Sequence, residues 1–270
     1  MAFSSFATQP DAELDLVEGA VAVARIGYPG LNPALVRQRL DELAAPIAGL
    51  GLARLPAMAQ ARALADHLHL AQGFRGNKEL YLDPQNSFIN AVIERRLGIP
   101  ITLAVVYLEV AQRVGIHARG VGFPGHFLLR VDDARDTVVV DPFSGGEVID
   151  RAGLGRLLAR VAPRLSLREE MLDPVGVRQI VVRMLMNLRG IYTSRADSGR
   201  LLAVLDHLVD MMPDAADEVR ERGMLCARLG APRFALADLR RYLDALPHAG
   251  DVAEVKRTIE RLESSVSATH

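Results

Sequence analysis

The chain has 270 residues, half of them apolar, with 32 Lys and Arg against 33 Asp and Glu. That length buries one large core or two smaller ones. A near-zero net charge gives no electrostatic case for nucleic acid or an anionic membrane. One cysteine, Cys226, excludes an internal disulfide. The N-terminus lacks a basic start followed by an apolar run, so the expectation is a soluble cytoplasmic protein.

Residues 11–28 carry Leu14, Val17, Ala20, Val21 and Ala24 at helical spacing. Asn32-Pro33 then starts a second helix, an Asn cap before a proline at the first position, with Leu35, Val36, Leu40, Leu43 and Ala44 on one side. A third helix covers 56–72 and ends where Gly73 and Gly76 suit positive φ. Asn86 or Ser87 is placed to cap a short helix, "SFINAVIERRL", that stops at Gly98.

"PITLAVVYLEVAQRVG" is apolar almost all round, which predicts a helix buried on most sides. It is interrupted by Thr102 and Glu109 and is too short to span a bilayer. From residue 116 the period shifts towards two. "HARGVGF", "HFLLRV" and "DTVVVDPF" read as three strands of an antiparallel meander, the last two joined by a "DDARD" turn. The centre is therefore α+β.

Beyond residue 150 the pattern is helical. Pro213 and Pro247 are thirty-four residues apart and each follows an amphipathic helix. Between them two helices meet at "LGAP", with small residues Gly223, Ala227, Ala235 and Ala237. That is the period of a tetratricopeptide repeat. A poorer unit is expected over 177–212 and a capping helix over 251–263. The expected division is a helical N-terminal part of the core domain (1–75), the core proper (76–172) and helical repeats (173–270).

A papain-type hydrolase places a nucleophile at a helix N-terminus, a His beside it and a polar group to orient that His. Here His126 opens the second strand and Asp141 ends the third. They are symmetric about the turn, which predicts them side by side. No cysteine starts the buried helix. Thr102 stands at its beginning, but a hydroxyl needs stronger activation than a thiol, and a helix cap is the competing role. Ser87 is the other hydroxyl, and Asn86, Asn90, Arg95 and Arg96 are further cleft candidates. His67 and His69 face different ways on a helix, and no ligand set surrounds His117 or His126, so no metal or other cofactor is expected. "SGG" at 144–146 lacks the lysine of a phosphate loop.

The blocks "DPQNSFINAVIERRLGIPITLAVVYLEVAQRVGI", "GVGFPGHFLLRV" and "VVDPFSGG" resemble the SirB-like family, which joins a transglutaminase-like core to C-terminal tetratricopeptide repeats. The resemblance implies a papain/transglutaminase-like core with a central Cys-bearing helix, and a His and an Asp on neighbouring strands. His126 and Asp141 match the last two. The Cys position falls near Ile101–Thr102, where this chain has none, and Cys226 lies in the repeats as a packing residue. The reading that follows is a non-catalytic scaffold or regulator that binds a protein or peptide through the cleft and the repeat surface. The rival reading is an amide hydrolase or acyl transferase using Thr102 or Ser87 with His126 and Asp141.

Overall fold

The computed structural model describes residues 3–267. They form two compact units: residues 9–184, and residues 185–267 together with 3–8. The short helix α1 (Phe3–Ala7) thus belongs with the C-terminal helices. No helix among the described residues is long and apolar enough to cross a membrane.

In the larger unit, α2 (Leu16–Ala24) is capped by Asp15, whose carboxylate accepts from Glu18 N at 2.8 Å. Helix α3 (Pro33–Ala44) begins as its sequence predicts, with Asn32 Oδ1 accepting from Ala34 N at 2.9 Å. Val36, Leu40, Leu43 and Ala44 are buried, but Leu35 is 58% exposed. Helix α4 (Ala57–Ala65) runs into a π-turn over Asp66–Ala71. There the His67 and His69 rings bond the carbonyls of Leu43 and Phe74. Gly73 has the positive φ its position predicts; Gly76 does not. Gly76 lies on the two-residue strand β1 (Arg75–Gly76), where a Cβ would come within 2.5 Å of Phe143. A close approach, not a turn, requires that glycine.

Helix α5 (Ile89–Arg95) begins after a 3-10 turn over Pro84–Ser87, so neither Asn86 nor Ser87 caps it; Phe88 holds the cap position. It ends at Arg95, followed by Arg96 in the left-handed conformation (φ 61°), short of the expected Gly98. Strand β2 (Leu97–Gly98) pairs in parallel with β1. Helix α6 (Pro100–Arg113) is the central element, with Leu103, Ala104, Val105, Val106 and Tyr107 fully buried. It packs on α3 and α5 and against the main sheet. Each buried Leu or Val there contributes roughly 1.5–3 kcal/mol.

The main sheet is an antiparallel meander of β3 (Ala118–Val121), β4 (Leu128–Asp132), β5 (Thr137–Asp141) and β6 (Glu147–Val148). Its second face packs on α7 (Arg151–Val161), which contributes Leu154, Leu157 and Leu158 to a cluster with Val121, Phe123, Leu128 and Val139.

Helix α8 (Val177–Ser194) contains the boundary between the units. In the smaller unit follow α9 (Ser198–Met211), α10 (Ala216–Arg228), α11 (Pro232–Ala245) and α12 (Val252–Ser267). The α10–α11 hairpin turns at Gly230, with φ 73°. Arg222 of α10 forms a two-pronged pair with buried Asp238 of α11, both bonds at 2.7 Å. Gly223 and Ala235 are buried as the repeat pattern requires, whereas Ala237 is exposed. A Cβ on Gly223 would lie 2.9 Å from Asp238 Cβ and 3.0 Å from Leu239. Gly223→Ala is therefore expected to destabilise this unit by about 1–3 kcal/mol through overpacking, despite alanine's better helix propensity. Urea denaturation checks this, and an unchanged or raised midpoint would contradict the close packing.

Candidate functional site

His126 and Asp141 meet, by a slightly different route from the one their spacing predicts. In the β4–β5 ladder Leu129 faces Val140, so the register places Leu128, not His126, opposite Asp141. His126 stands two residues before β4, in a turn closed by its own N–H to Phe123 O at 3.0 Å. That turn swings the imidazole back over the strand end, and Nε2 reaches Asp141 Oδ1 at 2.9 Å. Gly125 makes the turn with φ 64°. Arg183 of α8 fastens it by donating to the carbonyls of Phe123 (3.0 Å) and His126 (2.6 Å).

Asp141 is 3% exposed. Burial alone would raise its pKa. The hydrogen bonds from His126, from Ser144 Oγ (2.8 Å) and from Phe143 N (2.9 Å) outweigh that and hold it below the usual carboxylate value. With Nε2 donating to the carboxylate, Nδ1 is the ring nitrogen left without a hydrogen bond among the described residues. The ring is boxed edge-on by Phe143, at 6.0 Å and 86°, and Phe143 in turn by Tyr81, at 5.9 Å. Tyr107 OH is buried without a partner; burial, and then the charge of Asp141, raise its pKa.

The other hydroxyls are placed differently. Thr102 is fully buried. Its Oγ1 donates to Asn86 O at 2.6 Å and accepts from Ile99 N at 3.2 Å, with Ile99 O also at 3.2 Å. This ties the start of α6 to the preceding 3-10 turn. Asn86 is a node of the same network: its Oδ1 accepts from Asn77, and its Nδ2 donates to the carbonyls of Leu80 and Tyr81. Ser87 is buried and its Oγ has no partner. Arg95 pairs with Asp83 at 2.9 Å. Asn90 and Arg96 line a separate groove between α3 and α5. Cys226 is buried on α10, and burial raises its thiol pKa. Among the described residues, no Ser, Thr or Cys side chain is hydrogen-bonded to His126.

Two features beside the pair add to what the sequence predicts. A cavity of about 290 Å³ is lined by Asp141, Ser144, Glu147, Arg156 and Arg160. A lip of exposed apolar side chains, Leu80 (64%), Tyr81 (43%) and Leu82 (58%), sits where Tyr81 meets Phe143. The run "LYL" was the available signal, since turn segments are normally polar.

Residues 34–186 match the model of the transglutaminase-like superfamily, and residues 188–260 match that of a tetratricopeptide repeat. The UPF0162 protein of Xylella fastidiosa (strain Temecula1) is 35% identical over 99% of this chain and 97% of its own length. The UPF0162 protein PA3419 of Pseudomonas aeruginosa is 30% identical, over 92% of this chain and 89% of its own. Protein SirB1 of Salmonella typhimurium is 25% identical over 65% of each chain. No solved structure matches the chain at a significant level.

Proposed function

This chain belongs to the SirB-like family, a transglutaminase-like domain followed by tetratricopeptide repeats, and on that premise we propose that it is a non-catalytic scaffold that binds a protein or peptide. The observation that carries this is Thr102. The one hydroxyl at the start of the central helix is sealed from solvent and bonded to backbone on both sides. Activating it requires unmaking the start of α6. The His126–Asp141 pair is retained as structure: it ties the turn before β4 to the end of β5. The lip of Leu80, Tyr81 and Leu82 supplies apolar surface for a bound segment. The repeats supply the surface through which helical arrays commonly bind extended partners.

The test is a panel of serine- and threonine-directed acylating probes on the purified full chain. Thr102 and Ser87 are expected to remain unlabelled. In a peptide-array screen, Tyr81→Ser is expected to weaken the bound sequences by roughly 1–2 kcal/mol, and His126→Ala is expected to change them little. Labelling of Thr102 or Ser87 that His126→Ala abolishes would establish the acyl-transfer reading instead.

A further inference from the structure

The groove between α3 and α5 uses none of the residues around His126 and Asp141. It encloses about 530 Å³. Leu35 and Val36 from α3 and Ile93 from α5 supply its apolar wall, and Arg39, Glu42, Gln72 and Glu94 share the lining. Two residues of its lining, Asn90 and Arg96, each carry a polar atom without a partner. Asn90 Oδ1 is buried and accepts no hydrogen bond, and Arg96 Nη1 is buried and donates none. Buried polar atoms without partners are uncommon and are costly to keep.

Arg96 is unusual in a second way. It is the first residue past α5, with φ 61° and ψ 18°. Where a helix ends on a left-handed residue, glycine usually takes the place, because a side chain there costs roughly 1–2 kcal/mol. The backbone duties of the position do not need an arginine: its N–H bonds Val92 O and its carbonyl accepts from Arg75 N, both at 2.9 Å. Complementing the α5 dipole is already done by Arg95 in the last turn. The guanidinium lies over the buried Phe74 ring, 4.6 Å from its centroid. That contact leaves Nη1 without a hydrogen-bond partner. No carboxylate pairs with Arg96 among the described residues, whereas Arg39, on the same groove, is matched by Glu42 at 2.8 Å. Burial, and then the charge of Arg39, both work against the Arg96 cation.

We propose that this groove is a binding site for a carboxylate with an apolar body and an N–H beside the acid group. That is the chemistry of an N-acylated apolar amino acid and of the last residue of a peptide. The carboxylate pairs with Arg96, the N–H donates to Asn90 Oδ1, and the apolar side chain covers Leu35 and Ile93. The strained arginine is kept because its charge recognises the ligand.

The experiment is calorimetric titration of the full chain with N-acetyl-leucine, Gly-Gly-Leu and N-acetyl-leucinamide. At least one acid is expected to bind saturably, with the uncharged amide weaker by roughly tenfold or more. Stronger binding of the tripeptide assigns the site to peptide C-termini, and stronger binding of N-acetyl-leucine assigns it to free acylated amino acids. Arg96→Gly is expected to lose the same factor while melting at or above the wild-type temperature, since glycine relieves the left-handed backbone. Leu35→Asp, at an exposed position, is expected to weaken binding without unfolding the chain. The proposal is overturned if neither acid binds saturably, if the amide binds as well as the acids, or if Arg96→Gly binds like wild type.

Discussion

Asp141→Ala is expected to destabilise the unit spanning residues 9–184 by about 3–5 kcal/mol at neutral pH. The carboxylate accepts from His126, Phe143 N and Ser144 at 2.8–2.9 Å, and its removal strands three donors where little water enters. Asp141→Asn keeps the shape and is expected to cost less. The amide oxygen still serves one or two donors, but no charge remains. The pH dependence separates the two. Because the folded pKa of Asp141 lies below its ordinary 3.8, its charge stabilises the fold fully above that value. The contribution fades as pH falls through the lower folded value. The wild-type advantage over Asp141→Asn should therefore be largest at neutral pH and shrink below about 3.8. Urea denaturation across that range checks it. An advantage that persists unchanged in strong acid would mean that the carboxylate's charge is not what the three donors stabilise.

Thr102→Val is expected to cost about 2–4 kcal/mol, although it changes the side-chain volume little. Valine leaves Asn86 O without its 2.6 Å donor and Ile99 N without its acceptor, in a place with no solvent access. Thr102→Ser keeps the hydroxyl and is expected to lose only about 1 kcal/mol for the missing methyl. The packing below is equally tight, since a Cβ on Gly98 would stand 2.9 Å from Thr102 Oγ1. Thermal melts of the two variants decide the role. A threonine serving only as a nucleophile would let valine fold as well as serine does.

The pairing of His126 with Asp141 was legible because both flank one short hairpin. Any register near the expected one brings strand ends together. The actual register differs by two residues, and the turn at Gly125 compensates by carrying His126 back. Spacing alone does not reveal such a compensation. The cap role of Thr102 was equally visible, as a polar side chain in the first turn of an apolar helix. Its second partner, Asn86 O, was not, because sixteen residues separate the two.

The amino-acid sequence by itself determined the α+β core, the buried central helix, the absence of a thiol at its start and the thirty-four-residue helical repeat. These are written in periodicity and residue type, which act over a few turns of chain. Only the tertiary structure decided where the polar candidates point. Asn86 and Thr102 join one backbone network, while Asn90 and Arg96 turn to a groove of their own. The direction of a side chain on a short helix is set by what packs around it. For α5 that includes α2 and α3, elements distant in sequence, as well as the adjacent α6.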